Sequence, residues 1–203
     1  YYEGTADITR TIALGPVTDE EKEHYTLVLM SMLRLGHVKF LEGCTGLSLD
    51  YAAREPFWKR GLDFNHGTGH GVGYLLNVHE RPIGIRYRVV PERQENTPFM
   101  PGMVCSDEPG IYIEGSHGIR TENLIYCKKD EKTDYGQFLS FEYVTYVPID
   151  LEPVDVSLME EQDLAWLNEY HAQVYEKIAP YLDAEEAAWL KEATRPLSKK
   201  ESG

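Results

Sequence analysis

Cysteine is scarce in this chain of 203 residues: Cys44, Cys105 and Cys127 are an odd number, lie far apart and form no CxxC pair. A zinc ribbon needs closely spaced cysteine pairs, and a disulfide framework needs a dense, even set, so both classes are excluded. Dispersed cysteines are typical of proteins that fold in a reducing compartment. We therefore expect a cytoplasmic protein.

Long apolar runs and basic residues are also in short supply. No stretch approaches the about 20 apolar residues that a membrane-spanning helix needs, and no signal-peptide pattern opens the chain. The 20 basic residues are outnumbered by 34 acidic ones, for a net charge of −14. Such a surface repels phosphate backbones. We expect no membrane and no nucleic-acid partner, whereas metal ions and cationic ligands remain compatible with the charge.

The first third of the chain has strand-like and helix-like patterns. Residues 5–14 are rich in Thr and Ile, which predicts a strand. A capping box of Thr18 and Glu21 opens a segment with apolar residues at helical spacing, and Gly43 stands where its C-cap would fall. A shorter helix, closed by Gly61, follows. The pattern predicts one strand and then two helices.

The remainder divides into a β-rich part and a helical tail. From 64 to 147, short β-like segments alternate with Pro and Gly, and the connections are too short for crossover helices. We therefore expect antiparallel strands of one curved sheet. Two further capping boxes, Ser157 with Glu160 and Asp183 with Glu186, predict two helices in the tail. The fold class predicted by this layout is α+β.

The segment "FNHGTGHGVGYLLNVHE", residues 64–80, is the most unusual in composition. It holds three of the seven histidines, and glycine occupies every second position from 67 to 73. Imidazole is the commonest metal ligand and the usual proton carrier near neutral pH. Glycine allows the backbone to approach a neighbour closely. Together these features indicate a functional site, but the glycines lack the Lys-Ser/Thr ending of a phosphate-binding loop.

Four side chains are candidate metal ligands, because each lies within or at the end of a predicted strand, which is a rigid mount. They are Asp7, His70, Glu108 and Glu122. Carboxylates with one imidazole suit Mn²⁺, Co²⁺ or Zn²⁺. The ordinary alternative is a solvated carboxylate or a hydrogen-bonded core histidine, and spacing alone leaves both open. For Glu142 we expect the solvated state.

Three long motifs carry a family resemblance. "NHGTGHGVGYLLNVHE", "DEPGIYIEGSHGIRTEN" and "FLSFEYVT", in this order and spacing, resemble aminopeptidase P, the Xaa-Pro aminopeptidases. "YYEGTADITRTIALG" resembles the segment that precedes them, and the tail resembles the C-terminal extension of three-domain members. The resemblance implies the pita-bread fold, with residues 1–150 as the C-terminal part of the catalytic domain and 151–203 as a helical extension.

The resemblance also implies a role for individual positions. The residues at the family's metal-ligand positions are Asp7, His70, Glu108 and Glu122. The residues at its pocket and catalytic positions are His66, His79 and Arg120. Two divalent ions are implied, with manganese expected and zinc or cobalt as alternatives. A hydroxide bridging them would hydrolyse the bond between an N-terminal residue and a following proline.

Partners follow from the same resemblance. Peptides with proline at the second position are the implied substrates, and longer family members with this tail form homodimers. The tail carries large apolar residues, among them Trp166 and Trp189, in excess of what two short helices bury between them. Packing back onto the sheet of the same chain is an equally open alternative.

One departure from the family lies upstream. The family has a further aspartate ligand in a "DSG"-like segment before the position of Tyr1, and a third pocket histidine. We therefore expect the chain to be the C-terminal part of a longer enzyme, and to hold little metal and be inactive on its own. Two other functions stay open: a prolidase-like dipeptidase of the same fold, and an inactive pita-bread domain that binds basic peptides.

Overall fold

The computed structural model describes residues 1–75 and 77–199. The α-helices of this part are α1 (Asp19–Gly36), α2 (Gly46–Trp58), α3 (Glu161–Ile178) and α4 (Ala184–Ala193). The strands are β1 (Lys39–Leu41), β2 (Gly69–Gly71), β3 (Glu80–Ile85), β4 (Val104–Asp107), β5 (Gly110–Tyr112), β6 (Gly118–Arg120), β7 (Asn123–Thr133) and β8 (Gly136–Tyr143).

Six strands form one sheet in the order β1-β8-β7-β4-β2-β3, and every neighbouring pair is antiparallel. The register shifts between His70 and Gly71, where β2 meets β3. A separate hairpin of β5 and β6 stands beside the sheet. The predicted α+β class with a mainly antiparallel sheet is therefore confirmed.

The hydrophobic core lies where α1 packs against the sheet, α2 and α3. Helix α1 begins at the predicted capping box, in which Thr18 and Glu21 satisfy each other's backbone N–H groups. From His24 to Leu33 every residue of α1 is buried, because other elements cover the helix on several sides. Buried sheet residues such as Ile125 and Leu139 complete the core.

The prediction of a strand over residues 5–14 is wrong. Only one isolated bridge forms there, between Thr9 and Glu122. Side chains make the contacts that a ladder would make: the Thr11 hydroxyl bonds to both the carbonyl oxygen and the N–H of Arg120. Hydrogen bonds of this kind compete with regular backbone pairing.

Two predicted helix boundaries also differ from the structure. Helix α1 ends at Gly36 rather than at Gly43, because the residues after it pair with β8 as strand β1. Ser157 does not cap α3: its hydroxyl bonds to Asp155, and Glu160 takes the N-cap position instead. The other predicted cap in the tail is confirmed, since Asp183 and Glu186 form a capping box at α4.

The tail packs back on its own chain. Leu164, Leu167, Tyr170 and Val174 of α3 and Leu190 of α4 belong to the same core cluster as the sheet. Trp189 remains 64% exposed. The division at residue 150 and the dimer stay predictions. No helix among the described residues combines the length and apolar character needed to cross a membrane.

Candidate metal centre

Strand β2 carries His70 between β4 and the edge strand β3, and its glycines allow this packing. A Cβ on Gly69 would lie 2.0 Å from the carbonyl oxygen of Ser106, and one on Gly71 would lie 2.2 Å from that of Glu80. Real Cβ atoms do not approach so closely, so the neighbouring strands can reach His70 only because both positions lack a side chain. The two glycines on either side of His70 are thus explained by strand packing.

The candidate carboxylates come from three other segments. Glu108 follows the last residue of β4, where its N–H donates to the carbonyl oxygen of Thr68. Glu122 lies between β6 and β7 and bonds through its backbone to Thr9. Asp7 lies two residues before Thr9, in the segment that this bond holds against the sheet. Residues far apart in sequence therefore meet at one point.

Three of the four predicted ligands form one cluster. Donor atoms of Asp7, His70 and Glu122 all lie within 4.8 Å of one another, and both His70 and Glu122 are buried. His70 Nε2 lies 3.5 Å from Asp7 Oδ2. Glu108 adjoins the cluster, with Oε1 3.0 Å from His70 Nε2. The structure thus gathers the predicted residues, whereas their role as ligands stays a prediction.

The electrostatics of the cluster are those of crowded carboxylates. Burial raises the pKa of Glu122 to about 7, and the charges of Glu108 and Asp7 add to this, while a hydrogen bond from Thr9 opposes it. Burial lowers the pKa of His70, but Glu108, the Gly71 carbonyl and Asp7 outweigh it and leave the pKa raised. Burial likewise raises the pKa of Glu108, but the hydrogen bond and charge of His70 outweigh it and leave that pKa lowered.

Several features of the cluster fit a divalent cation. Glu122 Oε1 is buried and has no hydrogen-bond partner among the described residues. The His70 Nδ1–H donates to the carbonyl oxygen of Gly71 at 2.9 Å, which leaves Nε2 directed at the carboxylates. A metal-ligating histidine is held in this way by a hydrogen bond at its other nitrogen. Carboxylates and one imidazole are a ligand set for Mn²⁺, Co²⁺ or Zn²⁺.

Two of the predicted pocket residues, His79 and Arg120, contact this cluster. His79 is exposed, and its ring centre lies 4.1 Å from that of His70. Arg120 Nη1 lies 3.2 Å from Glu108 Oε2. His66 is half-buried, its Nε2 is buried without a partner among the described residues, and burial is the main cause that lowers its pKa. A neutral imidazole with a free nitrogen can accept or donate a proton.

Three supporting residues were missed in the sequence. Thr9 donates from Oγ1 to Glu122 Oε2 at 2.5 Å, and Ser106 donates to Glu108 Oε1 at 3.0 Å. Arg10 donates to the carbonyl oxygen of Glu122 at 2.6 Å. Thr9 and Arg10 lie within three positions of the candidate ligand Asp7 in the sequence, and this nearness could have indicated a supporting role. The contacts of Thr9 and Arg10 with Glu122 join residues more than one hundred positions apart, which no local pattern reveals, whereas Ser106 lies two positions from Glu108.

Glu142 behaves as expected. It is exposed, and its Oε2 forms a salt bridge with Lys128 Nζ at 2.9 Å. The hydrogen bond from Lys128 is the main cause that lowers the pKa of Glu142. It is a solvated charge on strand β8.

The chain belongs to metallopeptidase family M24, whose family model matches residues 1–129. A second model, for the C-terminal region of this peptidase family, matches residues 137–197. The predicted pita-bread fold is therefore confirmed, together with the membership predicted from the three motifs.

Within this family, the chain is similar to proteins named as Xaa-Pro aminopeptidases. A probable Xaa-Pro aminopeptidase P from Paracoccidioides brasiliensis strain Pb03 is 46% identical over 202 residues, covering 97% of this chain and 32% of the relative. The solved X-prolyl aminopeptidase of Caenorhabditis elegans, described as a cytosolic enzyme with a di-nuclear active site, is 40% identical with a TM-score of 0.87. That match covers 96% of this chain and 32% of the worm enzyme.

Prolidases match over a smaller part of the chain. The prolidase of Pyrococcus furiosus is 31% identical with a TM-score of 0.59, covering 72% of this chain and 39% of the prolidase. The chain thus spans about a third of the length of the curated aminopeptidases that it matches.

Proposed function

We propose that this chain is the metal-binding part of an Xaa-Pro aminopeptidase, which removes an N-terminal residue that precedes proline. The observation that carries the proposal is the cluster of Asp7, His70 and Glu122 with Glu108 beside it. It is supported by membership of a metallopeptidase family and by relatives named for this activity. The upstream part of the fold would come from the rest of a longer protein, as in relatives about three times this length.

The donor set suits two divalent cations, with manganese first and zinc or cobalt as alternatives. The residues that would hold them are Asp7, His70, Glu108 and Glu122. A pair of divalent cations, when bound, lowers the pKa of a shared water enough to supply hydroxide near neutral pH. The chain's own contribution is the rigid mount: Glu122 is held by Thr9, Glu108 by Ser106, and His70 by the Gly71 carbonyl.

The pocket residues would act on the substrate. His79 is exposed beside His70, where it would donate a hydrogen bond to the carbonyl oxygen of the scissile bond. His66, the other pocket histidine, would carry a proton to or from the substrate. Arg120 would hold Glu108 in place through its 3.2 Å contact.

The charge of the site suits the proposed substrate. The free amino terminus of a peptide is a cation, and the cluster is rich in carboxylates. Proline at the second position, a homodimer and a cytoplasmic location are further parts of the proposal. The last two are supported by the exposed Trp189 of the tail and by a relative described as cytosolic.

A prolidase-like dipeptidase is the second candidate, because prolidases share the fold. The aminopeptidase is favoured because the worm enzyme matches 96% of the chain and the prolidase only 72%. A tripeptide and a dipeptide, both with proline second, separate the two candidates. Faster hydrolysis of the tripeptide is expected, and exclusive hydrolysis of the dipeptide would refute the first candidate.

Substitution of single histidines in the full-length protein tests the division of roles. His70→Ala should lower both metal content and turnover. His66→Ala and His79→Ala should keep the metal and cut turnover by about 10²–10⁴, the usual share of a positioned acid–base group. His117→Ala, whose ring bonds to His24 instead, is the matched control and should change neither quantity. Metal lost from His79→Ala but kept by His70→Ala would reverse the assignment.

A further inference from the structure

Arg10 connects four separate parts of the chain. It donates from Nη1 to the carbonyl oxygen of Glu122 at 2.6 Å and from Nη2 to Asn123 Oδ1 at 2.8 Å. It also donates to the carbonyl oxygen of Val147 and to the hydroxyl of Tyr170, 2.7 Å away in α3. All of these acceptors are neutral, so hydrogen bonds rather than a salt bridge to a carboxylate fix the position of the guanidinium.

The segment that contains Arg10 also holds Glu122 in place by hydrogen bonds. The Thr9 hydroxyl donates to Glu122 Oε2, the Thr9 carbonyl oxygen accepts from the Glu122 N–H, and Arg10 donates to the Glu122 carbonyl oxygen. Asp7 lies at the start of the same short segment and contributes to the cluster. One anchor, Arg10, therefore restrains two of the candidate ligands.

Tyr170 is the part of α3 that restrains Arg10. Its side chain is 1% exposed, its hydroxyl accepts from Arg10 Nη2, and it lies 3.1 Å from the carbonyl oxygen of Val147. The Val147 N–H donates to the same hydroxyl at 3.2 Å. A buried hydroxyl with this many partners has one favourable position, and a hydrogen bond to a charged group is stronger than one between neutral groups.

We propose that Arg10 and Tyr170 are positioning residues for the metal centre, so that helix α3 of the C-terminal tail sets the metal affinity. The inference rests on the proposed function, because it takes Asp7 and Glu122 as ligands. Outer partners of metal ligands change metal affinity about 10–100-fold when they are lost, because the ligands must otherwise be ordered at the moment of binding.

The test compares two variants of the full-length protein, each of which lacks one buried tyrosine hydroxyl. Tyr170→Phe removes the hydroxyl that Arg10 contacts. Tyr143→Phe is the matched control: its ring centre lies 5.1 Å from that of Tyr170, and its buried hydroxyl has no hydrogen-bond partner among the described residues. A second variant, Arg10→Lys, keeps the charge but loses the planar fork of donors, and it carries the test if Tyr170→Phe does not fold.

The measurement is the dissociation constant of Mn²⁺ for the metal-stripped protein, by calorimetry. Tyr170→Phe and Arg10→Lys should weaken Mn²⁺ binding about tenfold or more, and Tyr143→Phe should match the wild type. Raising Mn²⁺ above the new dissociation constant should restore turnover of Tyr170→Phe with KM unchanged, which a general packing defect would not allow.

Two results would overturn the inference while leaving the proposed function intact. One is wild-type Mn²⁺ affinity in both Tyr170→Phe and Arg10→Lys. The other is an equal loss in Tyr143→Phe, which would indicate general packing at this position. Wild-type protein that binds no divalent metal would instead overturn the proposed function, and this inference with it.

Discussion

Two buried polar clusters flank the histidine segment, and they differ in how their charges are matched. In the first, Arg54 and Asp50 are both fully buried and form a salt bridge at 2.5 Å. Arg54 also contacts Asp63 at 2.6 Å, and Thr68 donates to the second oxygen of Asp50. The carbonyl oxygen of His66 accepts from the same guanidinium.

The second cluster is the candidate metal centre, and its charges are only partly matched, because Arg120 and His70 pair with Glu108. Asp7, Glu108 and Glu122 crowd around His70, and Glu122 keeps a buried oxygen without a partner in the described part of the chain. The Arg54 cluster satisfies itself and serves the fold by holding the backbone at His66. In our proposal the carboxylate cluster takes up a cation from outside. Buried charge left unmatched, rather than buried charge as such, therefore distinguishes the candidate metal centre from the structural network.

The largest effect is expected in the matched cluster. Arg54→Ala leaves Asp50 buried without its cation, which should lower the free energy of unfolding by about 3–5 kcal/mol. Denaturant unfolding of the full-length protein measures this. Arg88→Ala is the control, because Arg88 is exposed and should cost less than about 0.5 kcal/mol. Equal effects of the two variants would remove the basis of the comparison.

His171 extends the comparison to a group with no matching charge. It is buried, its Nε2 accepts from the N–H of Ile149, and burial together with Arg10 and Arg195 lowers its pKa from 6.5 to about 4. A pKa depressed in the folded state means that the unfolded chain binds the proton first. His171 therefore makes its full contribution to the free energy of unfolding above about pH 6.5. This contribution, about 3 kcal/mol, is lost as the pH drops towards 4.

Unfolding free energies measured between pH 7 and pH 4 check the His171 prediction. His171→Gln should flatten the curve over this window, because glutamine does not titrate. A variant with the same pH dependence as the wild type would show that other groups cause it.

A smaller effect of opposite sign is expected in the carboxylate cluster. At pH 8, above the pKa of about 7, Glu122→Gln removes a negative charge that Asp7 and Glu108 repel, so it should stabilise the metal-stripped protein by about 1 kcal/mol while abolishing metal binding. Asp50→Asn, the equivalent change in the matched cluster, should destabilise the protein. Thermal melting of both variants without metal decides the point, and destabilisation by Glu122→Gln would count against the comparison.

The smallest effect is expected for a solvated carboxylate. Glu142→Gln removes an exposed salt bridge to Lys128, which contributes at most about 0.5 kcal/mol. Metal content and melting temperature should both stay at wild-type values. A loss of metal here would mean that charge alone, and not the position of Glu122, governs binding.

The features of the fold and site that depend on local pattern and on long motifs could be predicted from the sequence. The antiparallel sheet, the caps at Thr18 and Asp183, and the convergence of Asp7, His70 and Glu122 were all within reach of spacing and family resemblance. The strand expected over 5–14 failed because side chains there take the bonds of a backbone ladder.

The supporting network was beyond sequence reasoning. Tyr170 has the spacing of an ordinary core residue on α3, and only the three-dimensional structure brings its hydroxyl to Arg10. Glycine at 69 and 71 indicated a close approach of the backbone to a neighbour, but only the structure identifies that neighbour as the adjacent strands. Contacts between distant segments follow from packing, which no short pattern encodes.

Metal analysis of the full-length protein tests the central claim most directly. Purified with Mn²⁺ and dialysed, the wild type should retain about two divalent ions per chain, and His70→Ala should retain fewer, because the imidazole belongs to the cluster. Arg54→Ala, assayed below its melting temperature, should keep the wild-type amount. Wild-type protein without stoichiometric metal, or His70→Ala with its full complement, would contradict the account.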